Sequence, residues 1–382
     1  MLKKVFEKTK YELCIMIFLL VQIPFFLPSV QASANWPFMQ YLGDYSHGFV
    51  SRALIGEFFS WFTDYTSKKF LYSFCVVICV ALIFAISLLC GQVLKSARNK
   101  DYVKVPVIIM LTSPIFLTLQ ESWIGIIDIH LMLLTAVAFA FNENKFLRFL
   151  IPLTLVVATA IHQAYVFLYL VPICIAILYD FFKNKKFIRD GIICGVSYVA
   201  VIAVALYGVL SKTSKNLSGS RELVEYSLSK SDLPVTVESV LSLVPYEYSD
   251  DYSSVFGSIQ SLMSPKNLLG LFVIFAPFFI LFVYGWIKAI KHSEKKDEKF
   301  VLFLCLIHPL STVPAYILGL NWNRWTSAII TSQCVLYLFM LYRKNEAVTL
   351  AVSRITEFLK KNYIVVVFYL IYYASFARLL GN

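Results

Sequence analysis

Long apolar blocks separated by short polar stretches run through this chain of 382 residues. Eleven of them approach the length that crosses a hydrocarbon core of roughly 30 Å, about 20 helical residues each. They fall at approximately 12–31, 70–91, 105–120, 124–142, 147–161, 164–182, 190–210, 267–288, 300–319, 326–342 and 363–380. The stretch from Phe149 to Phe182 is too long for one crossing. His162 and Gln163 divide it, and basic residues flank both outer ends, so it reads as two short crossings that meet at a tip. The pattern predicts an all-α polytopic membrane protein with about eleven transmembrane helices, a single integral membrane domain over residues 1–382.

Two segments between blocks are long. The first, residues 32–69, sets Phe49, Val50, Ala53, Leu54, Ile55, Phe58, Phe59 and Phe62 at roughly helical spacing, with Ser51, Arg52, Glu57 and Ser60 between them. That spacing predicts an amphipathic helix lying in the membrane interface. The second, residues 211–264, starts Ser-rich and carries two short helical patterns, Glu222 to Leu228 and Val237 to Val244, suited to covering a cavity.

Charge orients these blocks. With the amino terminus in the cytoplasm, 24 of the 34 Lys and Arg residues fall in cytoplasmic segments, and each such segment contributes. The positive-inside rule requires this. The 211–264 segment carries seven named acids (Glu222, Glu225, Asp232, Glu238, Glu247, Asp250, Asp251) against Lys212, Lys215, Arg221 and Lys230, and so belongs outside. Lys3 and Lys4, an apolar core and Ala32-Ser33-Ala34 have the layout of a cleavable signal. The core from Leu13 to Val30 is longer than a usual signal core, which favours a retained signal-anchor helix.

Composition fits the same picture. Apolar residues make up 59% and charged residues 15% of the chain, against roughly 45–50% and 25% in soluble domains. The net charge of +11 is explained by its sorting across the membrane, so no nucleic-acid partner is expected. The eight cysteines lie in or beside apolar blocks, with no CxxC pair and no Cys/His cluster at metal-ligand spacing. Neither a metal nor a cofactor is expected.

Polar groups at membrane depth are costly unless they face a cavity or a partner. The segment Tyr41-Leu-Gly-Asp44-Tyr-Ser-His47-Gly48-Phe-Val-Ser-Arg52 places a carboxylate just before the interfacial helix. Asp44 there serves as a general base or acceptor-binding group, with Arg52 on phosphate. Alternatively Asp44 caps the helix and Arg52 snorkels to headgroups. Asp128 lies about one turn into the fourth block, below Glu121, and is hard to explain by packing; an N-terminal helix charge or a structural ion pair is its other reading. His162 interrupts an apolar run, as a hydrogen-bonded structural residue or a ligand group. Arg324, in Asn321-Trp322-Asn323-Arg324-Trp325, is the one Arg of its outer loop, either a pyrophosphate clamp or an aromatic-belt anchor. All of these map to the extracytoplasmic side. No P-loop or nucleotide fingerprint is present, which argues against a sugar-nucleotide donor.

The stretch from Asp44 to Gly56 resembles the D-Y-G-F-V-R-R-G-L-I-G-like segment of multispanning proteins encoded with bacterial surface-polysaccharide genes. Ile161-His162-Gln163-Ala-Tyr-Val-Phe-Leu-Tyr-Leu-Val-Pro172 resembles their H-E-x-x-x-F-x-x-x-P segment, and Asn321 to Trp325 their D-x-x-R-W tip. These motifs cover about a tenth of the chain. Ser51 stands for the first Arg of a tandem pair, Gln163 for Glu and Asn321 for Asp. The resemblance implies a GT-C-like glycosyltransferase or an O-antigen or capsule repeat-unit polymerase of the bacterial inner membrane. It implies Asp44 and Asp128 as catalytic acids, and Arg52, His47, His162, Gln163, Arg324 and Trp325 on a polyprenyl-linked oligosaccharide. Membrane lipids and other polysaccharide-assembly membrane proteins are the remaining expected partners. A GT-C transferase using a polyprenyl-phosphate sugar is the second reading. A transporter or flippase for lipid-linked saccharide is the rival of another class; it should show broken helices in two related halves, and no such symmetry is evident.

Overall fold

The computed structural model describes residues 2–46, 53–96, 101–113, 116, 121, 123–184, 187–210, 220–239, 265–318 and 322–380. Every regular element among them is helical, and five helices are long and apolar enough to cross a membrane.

Helix α1 (Leu2–Phe26) packs antiparallel on α3 (Lys68–Ser96). Glu12 pairs with Lys95 at one end, and the Tyr72 hydroxyl donates to the Pro28 carbonyl at 2.7 Å near the other. The α3 sequence shows why it sits this way. Leu71, Cys75, Cys79, Leu82, Ile86, Cys90 and Val93 recur every three or four residues and are buried, whereas Val77, Phe84 and Leu88 face outward. Between α1 and α3 lie a 3-10 helix (Trp36–Tyr41) and α2 (Leu54–Ser60). α2 buries Ile55, Gly56 and Phe59 and leaves Phe58 exposed, followed by exposed Trp61 and Phe62. The interfacial pattern read from sequence thus ends in a short helix with one packed face; residues 49–52 of that pattern lie outside the described residues.

The chain then runs back and forth between two ends through α4 (Asp101–Leu111), α5 (Asp128–Glu143), α6 (Ile151–Ile161), α7 (Tyr165–Leu168), α8 (Leu170–Asn184) and α9 (Phe187–Leu210). The expected break comes at His162, where the backbone turns extended (φ −158°, ψ 119°). α10 (Ser220–Ser229) matches the first short helix expected in the polar loop; most of the second falls outside the described residues. α11 (Pro265–His292), α12 (Lys296–Ile307), a 3-10 turn (His308–Thr312), α13 (Val313–Leu318) and α14 (Trp322–Tyr342) follow. α14 is the central helix, buried along most of its length. Its polar positions bind neighbours: Gln333 Oε1 accepts from Trp286 Nε1 at 2.6 Å, Gln333 Nε2 donates to the Cys305 carbonyl at 2.9 Å, and Tyr337 donates to the Phe282 carbonyl at 2.9 Å. Interhelical hydrogen bonds of this kind hold apolar helices in register.

α15 (Glu346–Lys361) was read from sequence as a cytoplasmic connection. It is an amphipathic helix, capped by Asn345, whose side chain accepts from the Val348 N–H at 2.9 Å. Its apolar face, Ala347, Val348, Ala351, Val352 and Leu359, packs on α11 and α4. α16 (Tyr363–Leu380) follows, mostly exposed, and meets the bundle through Tyr369 and Tyr372 against Phe278.

One end of the bundle is closed by a buried ionic network. Arg148 donates to both carboxylate oxygens of Asp190 at 2.9 and 3.0 Å, to Asp180 at 2.5 Å, and to Asn142 at 3.0 Å. Arg343 adds bonds to Asp180 at 2.6 Å and Glu143 at 3.0 Å. It ties the ends of α5, α8, α9 and α14 together. The expected site residues gather at the opposite end.

Candidate functional site

Asp128 opens α5 and Arg324 sits in the first turn of α14. They form a bidentate pair, Nε to Oδ2 at 2.7 Å and Nη2 to Oδ1 at 2.9 Å. The two side chains are only 4 and 5% exposed. Arg324 is therefore neither a loop-tip residue nor a snorkelling anchor: it lies inside the bundle, 196 residues away in sequence from its partner. Trp325 beside it is also buried, edge-on to Tyr316 with ring centroids 5.3 Å apart.

Aromatic and imidazole groups surround this pair. The His130 ring lies 5.5 Å from Tyr41 and 5.5 Å from Phe74. Tyr41 and Tyr169 are buried as well, the latter against Tyr165 with ring centroids 6.0 Å apart. The 3-10 helix that carries Tyr41 packs against the segment before α5, with Trp36 edge-on to Trp123 at 6.3 Å. Gly125 has φ +100°, and a Cβ there would meet Phe38 at 2.8 Å, so this close approach requires glycine. Among the described residues of these two packed segments, both amide atoms of Gln40 and the Oε2 of Glu121 are buried without a hydrogen-bond partner. Each unsatisfied buried group costs roughly 1–3 kcal/mol. Burial raises the Glu121 carboxyl to about 8.

Asp44 occupies a second cluster beside the first. It caps no helix; α2 begins after Ala53 without a side-chain cap. Its carboxylate accepts from the Ser46 N–H at 3.0 Å and the Ser46 hydroxyl at 2.5 Å, from the Tyr226 hydroxyl at 3.0 Å, and from Lys230. Burial favours the neutral acid, but the bonds from Lys230 and Ser46 outweigh it and hold the carboxyl below its ordinary value. In this state Asp44 is an ion-paired carboxylate rather than a poised base. Asp44 and Asp128 each have a cationic side chain for partner, Lys230 and Arg324.

The remaining candidates divide. His162 is buried at the end of α6, and its Nδ1 accepts from the Ala164 N–H at 3.2 Å, a turn-forming bond. Gln163 is next to it, partly buried. His47, Arg52 and Asn321 lie outside the described residues. No group of three or more His, Cys, Asp or Glu able to hold a metal occurs among the described residues. Sequence reasoning passed over Gln40, Tyr41, Tyr169, Tyr226 and Lys230, because nothing local announces a partner so far along the chain.

A separate, partly open cavity of about 70 Å³ is lined by Met110, Phe278, Phe282, Tyr337, Leu341 and Ile355. Its lining is apolar and includes none of the candidate residues, which makes it the wrong environment for a diphosphate or a sugar. The structure thus defines an all-helical protein with five helices long and apolar enough to cross a membrane and a buried polar cluster at one end. No family model, curated protein or solved structure matches the chain.

Proposed function

We propose that this chain is a multispanning glycosyltransferase of the bacterial inner membrane that joins polyprenyl-diphosphate-linked saccharides, the reaction of a repeat-unit polymerase. The observation that carries the reading is the buried pair of Asp128 and Arg324, with His130 on the same helix turn packed against Tyr41, three residues from Asp44. On this reading the chain makes eleven crossings with its amino terminus in the cytoplasm. The alternation of helices between two ends and the basic residues of the Arg148 end support that arrangement.

In the reaction, the acceptor sugar hydroxyl attacks the anomeric carbon of the donor. Its proton passes to a carboxylate, and the bond from the anomeric carbon to the diphosphate oxygen breaks. Arg324 offers charge to the departing diphosphate, and Gln40, His130 and Glu121 offer hydrogen bonds to sugar hydroxyls. The same chemistry fits a polyprenyl-phosphate sugar as donor. The test is Asp44→Asn in cells and in vesicles supplied with a defined lipid-linked oligosaccharide. Long glycans should vanish while protein levels hold, and a normal chain-length profile refutes the role.

Buried titratable groups such as Glu121 and His130 also suit a proton-coupled transporter or flippase of lipid-linked saccharide. The vesicle assay separates the readings, since an enzyme lengthens the glycan and a flippase only relocates the lipid.

A further inference from the structure

Lys230 stands out once Asp44 is understood. It closes α10, 186 residues from Asp44, yet its ammonium group bonds the Asp44 carboxylate and lies over the Tyr226 ring at 4.3 Å from the centroid. Its backbone carbonyl accepts from the Thr66 N–H at 2.8 Å. Two residues on, Asp232 accepts from the Lys68 N–H at 2.6 Å, while the Lys68 ammonium donates to the Ser33 carbonyl at 2.9 Å. Segment 220–239 is therefore fastened across the first loop by polar contacts as well as by Val224 and Leu233, which are buried, and Leu228, Val235 and Val237, which pack against the core. Its other prominent charges, Arg221 with Glu225 and Glu238, pair among themselves at the surface.

This fastening has two consequences. It hides the carboxylate that the proposed reaction uses, and it leaves a partly exposed ammonium group holding a single negative charge. A diphosphate offers that ammonium group more charge and more acceptor oxygens than one carboxylate does. We propose that Lys230 is a diphosphate-binding residue that Asp44 occupies at rest, so that arrival of the donor's diphosphate draws Lys230 away, loosens segment 220–239 and frees Asp44. The choice of ligand rests on the glycosyltransferase reading; the latch itself rests on the contacts above.

The test reads the latch without glycosyl transfer. Thr66 is buried and bonded to Lys230 through the backbone, so Thr66→Cys reports opening by its rate of reaction with a membrane-impermeant maleimide, corrected for labelling of the parent protein. The rate should be low in the otherwise intact protein and at least tenfold higher when Lys230→Gln is added. Lys230→Arg, which keeps the charge, should stay slow; this separates loss of the latch from general damage. Geranyl diphosphate should speed labelling several-fold, geranyl monophosphate less, and geraniol not at all. A response to geranyl diphosphate but not to inorganic pyrophosphate assigns the anion to a lipid; an equal response assigns it to the free ion, with the exchange intact. Unchanged labelling in Lys230→Gln, no effect of either diphosphate, or an equal effect of geraniol overturns the proposal. If diphosphate opens the latch and vesicles make no longer glycan, the functional reading fails while the latch stands. If glycans lengthen and labelling never changes, the latch fails alone.

Discussion

The pair of Asp128 and Arg324 permits a test that separates folding from function. Replacing Asp128 with Leu leaves a guanidinium group buried and uncompensated, and breaking one side of such a pair costs about 3–5 kcal/mol. Arg324→Leu leaves the carboxylate in the same position. The double variant Asp128→Leu, Arg324→Leu removes both charges and fills the space with apolar side chains. Replacements of that kind are often neutral or stabilising by about 1–4 kcal/mol. The two groups are joined by two hydrogen bonds, 2.7 and 2.9 Å, and are almost fully enclosed, so solvent screening gives little relief to the single variants. The expected pattern is therefore two destabilised single variants and a double variant near or above the parent. Thermal unfolding in one detergent, read by intrinsic fluorescence and by monodispersity after heating, gives the three comparisons. Glycan chain length in cells gives the fourth. The double variant should fold and make no long polysaccharide, because the positive charge proposed to meet the leaving diphosphate is gone. A double variant that is as unstable as the singles refutes the energetic argument. One that folds and still makes normal glycan reduces the pair to a structural tie.

Three other outcomes follow from particular contacts. The Glu121 carboxyl is raised to about 8 from an ordinary 4.5; the native state keeps its proton where the unfolded chain has lost it, so stability is full below 4.5 and falls as pH rises towards 8, by up to about 1.4 kcal/mol per pH unit. Glu121→Gln should flatten that fall, and unfolding midpoints between pH 5 and 8.5 that match the parent throughout contradict the assignment. A Cβ on Gly56 would lie 1.9 Å from the Gly43 carbonyl oxygen and 2.8 Å from that of Tyr41. Both obstacles are backbone, so Gly56→Ala should cost about 1–3 kcal/mol or more, seen as a lowered unfolding midpoint and less accumulated protein. Arg148→Met strips the hub from Asp180 and Asp190 and should cost about 3–5 kcal/mol; a midpoint within a degree of the parent would show that Arg343 and Arg189 suffice.

How far the sequence revealed this depended on the range of each interaction. Hydropathy and charge are local, and they located the five helices long and apolar enough to cross a membrane, the break at His162 and the helix beginning near Glu222. The amphipathic helix Glu346–Lys361 was legible in principle, because Ala347, Val348, Ala351, Val352 and Leu359 recur at helical spacing. A search for span-length apolar blocks passes over it, since half its face is charged. Trp325 shows a different limit. A tryptophan at a block end reads as an interfacial anchor, yet tertiary packing on Tyr316 buries it. The partners of Asp44 and Asp128 were out of reach altogether. Each is nearly two hundred residues away, and although Arg324 stands out as the one Arg of its loop, nothing local ties it or Lys230 to its carboxylate.

The two ion pairs at this end differ in a way that assigns them different work. Asp128 and Arg324 are both enclosed, and separating them exposes two charges to a low-dielectric interior at about 3–5 kcal/mol. Such a pair stays made through a reaction cycle unless another anion takes the guanidinium group in place. Asp44 is as enclosed as Asp128, but Lys230 is 21% exposed against 5% for Arg324, so water screens Lys230 as it leaves and the separation costs less. Asp44 also keeps Ser46 and Tyr226 as donors after Lys230 departs, so its carboxylate is not stranded by the exchange. The energy difference makes the Asp44 pair the one that opens and the Asp128 pair the one that positions. On the proposed reading, a carboxylate that must be uncovered before it accepts a proton, beside an arginine that never moves far, would keep the reaction from starting until the donor is present. If labelling showed Asp128 losing Arg324 while Lys230 held fast, this order would be reversed, and Asp128 would have to be the acceptor of the proton.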